Sequence, residues 1–202
     1  MGQVASAAAS ECLPPTKDAD GTALFAAATA AGAPPSRAPM LTFGANDCRQ
    51  LGAGEDGPSE EAVLAPHRVP ARGLRDVAFG DCHAIWLGEE GEVRTVGSSD
   101  HGQCGHGRAE DVPAPKAVSA LDSKACVAVS AGGSHSAAVT TAGELVTWGA
   151  SAHGQCGHGE EAGVDVLRPK VVASLKSRVV VAAVACGADF TAVCTTGVEV
   201  YT

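Results

Sequence analysis

The residues best suited to chemistry in this chain are His101, Cys104 and His106, which recur as His153, Cys156 and His158. Imidazole nitrogen and thiolate sulfur at such close spacing are zinc ligands, although a structural zinc site closes four ligands around the ion. The surrounding sequence weakens that reading. The segment FGANDCRQLGAG from Phe43 returns as VGSSDHGQCGHG from Val96 and as WGASAHGQCGHG from Trp148. In this register Cys104 and Cys156 stand where the first copy has Leu51, His101 and His153 where it has Cys48, and His106 and His158 where it has Ala53. A ligand set missing from one copy reads more economically as small hydrophobes in a core slot. No catalytic residue, metal or other cofactor is expected.

His83 and His135 form a second candidate pair, each just after a glycine turn, with Phe190 at the matching place in the last copy. Replacement by Phe points to packing, and no Ser, Cys or Asp recurs beside them at a spacing that would make a nucleophile and base. Trp86 and Trp148 read as core for the same reason.

The elements that position these residues repeat too. The anchor glycines Gly44, Gly97 and Gly149 lie 53 and 52 residues apart, and Gly80, Gly132 and Gly187 keep nearly the same step. Pro66, Pro115 and Pro169 each precede a valine by three residues: Val69, Val118 and Val172. Between these landmarks run short stretches rich in Val, Thr and Ala, such as Asp76 to Gly80, His83 to Leu87 and Glu92 to Val96, separated by glycine. Such runs predict antiparallel strands, and the period of about 50 residues matches a four-stranded propeller blade. The glycines flanking each loop, Gly52 and Gly54 and their counterparts, are expected at positive φ or at close backbone approaches. Gln50, Gln103 and Gln155 are expected to cap backbone groups that the tight loops leave unpaired.

An aromatic-Gly, a G-Q-L-G-x-G loop, a Pro-x-x-Val strand, a V-x-x-G-x-x-H strand pair and a closing G-x-L-x-x-W-G together resemble the repeat of the regulator of chromosome condensation family. The fullest copy is AVSAGGSHSAAVTTAGELVTWGASAHGQCGHG, Ala128 to Gly159, and the resemblance runs from Met40 to the end. It implies an all-β fold, a β-propeller that has seven blades in known members. Residues 40–202 would supply about three blades, and GVEVYT at the end stops one residue short of the next aromatic-Gly, so the chain is expected to be truncated.

The resemblance implies two classes of function. One is a non-enzymatic protein-interaction platform, the reading favoured here. The other is guanine nucleotide exchange on a Ran-like small GTPase through a wedge projecting from one blade, for which the repeat steps in hand leave no room. The chain could equally be the repeat module of a larger kinase or ubiquitin ligase.

Charge adds a candidate surface. The loops after the glycine pairs carry Glu55 and Asp56, Glu110 and Asp111, and Glu160 and Glu161, which read either as solvated loops that keep the chain soluble or as an acidic rim able to attract a basic protein partner. A net charge of −9 and a pI near 5.1 disfavour nucleic acid as a partner. The eight cysteines show no paired framework and fall mostly in repeat slots, as in a reducing compartment, so a cytoplasmic or nuclear location is expected. Residues 1–39, rich in Ala, Pro and Ser, read as a disordered tail. The tail opens on Met-Gly-Gln-Val-Ala-Ser, an acceptor pattern for myristoylation at Gly2. One acyl chain binds membranes only marginally, so membrane association is expected only with a second signal, such as acylation of Cys12.

Overall fold

Segments of five or six residues rich in Val, Thr and Ala satisfy their backbone groups by pairing sideways, and the glycines between them turn the chain back on itself. The computed structural model describes residues 40–53, 62–69, 73–159, 163–176, 178–197 and 199–202. The tail assigned to 1–39, with Gly2, lies outside the described residues.

Four antiparallel sheets follow one another along the chain. The first pairs β1 (Met40–Ala45) with β2 (Ala62–Val69). The second runs β3 (Leu74–Phe79), β4 (His83–Gly88), β5 (Val93–Gly97) and β6 (Val112–Ala117) in sequential order. The third repeats this with β7 (Cys126–Ala131), β8 (His135–Thr140), β9 (Leu145–Gly149) and β10 (Val166–Val171). The last holds β11 (Val181–Cys186), β12 (Thr191–Thr195) and β13 (Val200–Tyr201). A 3-10 turn covers Ser119–Leu121. This is the all-β, partial propeller with four-stranded blades that the repeat period predicts.

The prolines mark the outer edges. Pro115 and Pro169 lie in β6 and β10, each the outermost strand of its sheet, where a missing N–H removes no ladder bond from a further neighbour. The opposite edges, β3, β7 and β11, approach one another from sheet to sheet.

The core lies between sheets, one cluster per junction. Trp86, Ala84 and Val96 meet Val69 across the first. Ile85, Leu87, Val93 and Val118 of the second sheet meet Val129, Ala138, Val146 and Trp148 of the third. Ala137, Val139 and Leu145 meet Val181 and Val193 across the last. The fully buried strands β4 and β8 serve two junctions at once, because alternate side chains point to opposite faces.

The anchor glycines hold the hinge from the third strand into the loop. Gly149 has φ +104°, and a Cβ there would sit 2.6 Å from the Ser134 carbonyl oxygen and 2.7 Å from the His135 Cα. Gly154 also has positive φ, but its missing Cβ faces open space. Gly149→Ala therefore combines backbone strain with a backbone collision and should cost about 1–3 kcal/mol beyond Gly154→Ala. Urea unfolding of the two variants measures that difference; equal midpoints would contradict it.

Candidate functional site

Each sheet hands over to the next through the glycine-rich loop, and the recurrent polar residues converge there. In the second loop the Gln103 side-chain oxygen accepts the His101 N–H at 2.9 Å, and in the third the Gln155 oxygen accepts that of His153 at the same distance. Gln50 does this for Cys48 at 3.0 Å. The glutamines thus cap the loop as their donor and acceptor chemistry suggests.

The Gln103 main-chain carbonyl points to the next sheet. It accepts the Ser136 hydroxyl at 2.9 Å and the Trp148 indole N–H at 2.8 Å. His83 from the preceding sheet lies with Nε2 2.9 Å from the same Ser136 oxygen. Because that hydroxyl donates its proton to Gln103, the imidazole must be the donor in the His83 contact, which fixes the proton on Nε2. The next junction copies the arrangement: His135 Nε2 lies 2.9 Å from the Thr191 hydroxyl, which donates to the Gln155 carbonyl at 2.8 Å. Both histidines are fully buried, whereas Phe190 at the corresponding place is 61% exposed.

The other imidazole nitrogen has no partner. Nδ1 of His83 and of His135 is buried without a hydrogen bond and packs against the backbone of Gly80 and Gly132. A proton there would bury an unpaired charge. Desolvation, aided by the neighbouring His135, takes the His83 pKa down to about 3, and burial takes that of His135 to about 4 despite the opposing charge of Asp189.

The His-x-x-Cys-x-His sets disperse. Cys104 and Cys156 are buried as Leu51 is, and their thiols point to the Ser98 and Ala150 carbonyls at 3.4 and 3.3 Å. Burial pushes the thiols up to about 11 and about 12. His106 and His158 bond the hydroxyls of Thr95 and Thr147 at 3.0 and 3.1 Å. His101 pairs with Asp165 at 2.9 Å, and His153 faces Asp189 at 3.8 Å.

Of the acidic rim, Glu55, Asp56, Glu160 and Glu161 lie outside the described residues. Glu110 is exposed and faces Arg108 at 3.6 Å. Asp111 accepts the Ser99 N–H at 2.9 Å and so also braces its loop. His106, Arg108, Lys116 and Arg168 line a cleft beside these two carboxylates, giving this stretch of rim mixed charge.

Sequence reasoning missed one grouping. Asp47 and Cys48 of the first loop meet Cys82 of the β3–β4 turn, with their ligating atoms within 4.8 Å of one another. The signal was present in the repeat: position 48 aligns with His101 and His153, and position 82 aligns with Ser134 and Asp189.

The model of the regulator of chromosome condensation (RCC1) repeat matches residues 90–139 and 142–194. The human E3 ubiquitin-protein ligase HERC2 is 40% identical over 111 residues, 55% of this chain and 2% of that protein. The zebrafish (Danio rerio) protein RCC2 homolog is 31% identical over 172 residues, 78% of this chain and 34% of that one. The crystal structure of Prp20p from Saccharomyces cerevisiae aligns with a TM-score of 0.66 at 25% identity, covering 75% of this chain and 38% of its own. This chain therefore spans about a third or less of these two relatives' lengths.

The buried histidines give the junctions a pH dependence of definite sign. Their folded pKa values lie below the unfolded value near 6.5, so the unfolded state binds more protons once pH falls under about 6.5. Stability is fully present above that pH and declines as pH drops toward 4, by about 1.4 kcal/mol per pH unit per histidine. Thermal melts from pH 7.5 to 4.5 should show this fall, and His135→Gln should reduce its slope by about half. An unchanged slope in that variant would assign acid sensitivity elsewhere.

Proposed function

The chain belongs to the regulator of chromosome condensation repeat family, and from that membership we propose that it is a non-enzymatic propeller module that binds a protein partner through its loops. The observation that carries this reading is the internal commitment of the recurrent polar side chains. The imidazoles of His83 and His135, the side chains of Gln103 and Gln155 and the thiols of Cys104 and Cys156 all face hydrogen-bonding partners inside the fold. What remains for a ligand is the rim of loops, whose charged residues differ from copy to copy. Relatives support a protein ligand: the Prp20p structure was reported with binding properties to Gsp1p and histones.

The partner we infer is basic, drawn to a rim bearing Glu55, Asp56, Glu110, Glu160 and Glu161. Asp111 contributes charge too, but its bond to the Ser99 N–H gives it a structural duty. Complementary charge acts mainly on the encounter rate and is screened over about 8–10 Å at physiological salt. Exchange on a Ran-like GTPase is the weaker reading, because the repeats present hold no long insertion to act as a wedge.

Purified core histones are a suitable basic probe. Reversing Glu55, Asp56, Glu110, Glu160 and Glu161 to lysine should slow association about tenfold at low salt and flatten its salt dependence. An unchanged rate would reduce the rim to a solvated edge. In a parallel assay the chain should leave release of labelled GDP from a Ran-like GTPase at its uncatalysed rate; acceleration would overturn the non-enzymatic reading.

A further inference from the structure

The three loop-to-turn junctions bring equivalent positions face to face but fill them with different chemistry. His153 of the third loop faces Asp189 of the turn beyond it at 3.8 Å. In the second, His101 turns to Asp165, and the turn residue that matches Asp189 in the repeat is Ser134. The first holds Cys48 and Cys82, with Asp47 beside them.

That junction also lacks the hydroxyl link of the others. Ala84 stands where Ser136 and Thr191 stand, and the Trp86 indole N–H is buried without a partner where Trp148 has the Gln103 carbonyl. Its flanking sheet, β1 with β2, has only two strands among the described residues. Among the described residues the first junction therefore lacks the hydroxyl-to-carbonyl tie of the others and sets two thiols beside a carboxylate.

We propose that Asp47, Cys48 and Cys82 form a binding site for a thiophilic divalent cation, zinc(II) in the first instance, which ties the first loop to the β3–β4 turn. The two Sγ atoms and one Asp47 carboxylate oxygen lie within 4.8 Å of one another. Tetrahedral zinc with sulfur at about 2.3 Å and oxygen at about 2.1 Å needs ligand atoms roughly 3.5–3.8 Å apart, so a shift of about 1 Å closes the site. The carboxylate is already oriented: its Oδ1 accepts the Cys48 N–H at 3.2 Å and the Gln50 amide at 3.0 Å. Cys48 and Cys82 are half-buried and Asp47 is exposed, so the ion has a path from solvent and water can fill the fourth position.

The local electrostatics suit a cation. Asp47 and Asp111 place negative charge beside Cys48. Binding displaces the thiol protons: two thiols and one zinc(II) give a bis-thiolate zinc and two protons, with no change of oxidation state. A disulfide between the same sulfurs would need an oxidant as well as a thiolate nucleophile. The proposed site departs from the expectation of no metal, because the fold sets Cys48 beside Cys82.

The test titrates the full reduced chain with zinc(II) and with cadmium(II), whose thiolate charge-transfer band reports sulfur ligation. We expect one equivalent bound and about two protons released, read from the dependence of calorimetric heat on buffer. Cys82→Ser, which installs the residue found at position 134, should weaken binding about a hundredfold and remove most of the band, and Cys48→Ser should do the same. Asp47→Asn should weaken binding about tenfold with the band retained. Cys194→Ser, at the exposed cysteine, should change nothing. Circular dichroism establishes that each variant is folded. Failure of the folded, reduced wild-type chain to bind, or equal binding by the Cys48→Ser/Cys82→Ser double variant, would overturn the proposal.

Discussion

The structure turns on a single carbonyl in each of the second and third linking loops, those of Gln103 and Gln155. Gln103 presents its main-chain oxygen to two donors of the following sheet, the Ser136 hydroxyl and the Trp148 indole, while His83 of the sheet before donates into the same hydroxyl. Three elements are thus fixed relative to one another through one oxygen. Buried polar groups cost several kcal/mol when unpaired, so a sheet that rotated or slid would break more than one bond at once. This constraint explains why the loop has a tight glycine turn and a side-chain cap: the backbone must deliver the oxygen to a fixed place.

Packing adapts around that fixed point by exchanging size between strands. In the third sheet the large residue is Trp148 on β9, opposite Ser136 on β8, with Ala138 two places along. In the second sheet Val96 takes the place of Trp148, and Trp86 on β4 takes the place of Ala138. Both indoles lie against a loop glycine and an outer-strand proline: Trp86 by Gly52 and Pro115, Trp148 by Gly105 and Pro169. The slot is filled to the same end from two different strands, which preserves core volume. The cost is polar, since only the β9 route brings the indole N–H to the Gln carbonyl.

Much of this was legible in the sequence because a repeat supplies its own comparison. The strands fall within a few residues of the runs between glycines, and the equivalence of Cys104 and Cys156 with Leu51 holds as burial. Gln103 and Gln155 cap as their position and chemistry require. The His relay was not legible, because its partner is a hydroxyl 53 or 56 residues away, in a strand where Ser and Thr look like ordinary sheet residues. One position of the rim was only half legible for a related reason. Asp111 counts as surface charge in a sequence, yet it is spent on the Ser99 N–H, and Arg168 reaches the same cleft from a different repeat.

The contrast between inner and outer parts of each junction shows how a repeat fold can diverge without losing its frame. Inside, a change at His83 or Gln103 breaks a buried network, so the same types recur: His at 83 and 135, Gln at 50, 103 and 155. At the outer end, the loop and turn face each other across solvent-accessible ground, where an altered side chain leaves no buried group unpaired. There the pairings run from thiol with thiol to imidazole with carboxylate, His101 with Asp165 and His153 with Asp189. These positions are free to vary. Differences between blades are therefore concentrated in their loop-turn contacts, while the buried relay behind them sets one sheet against the next.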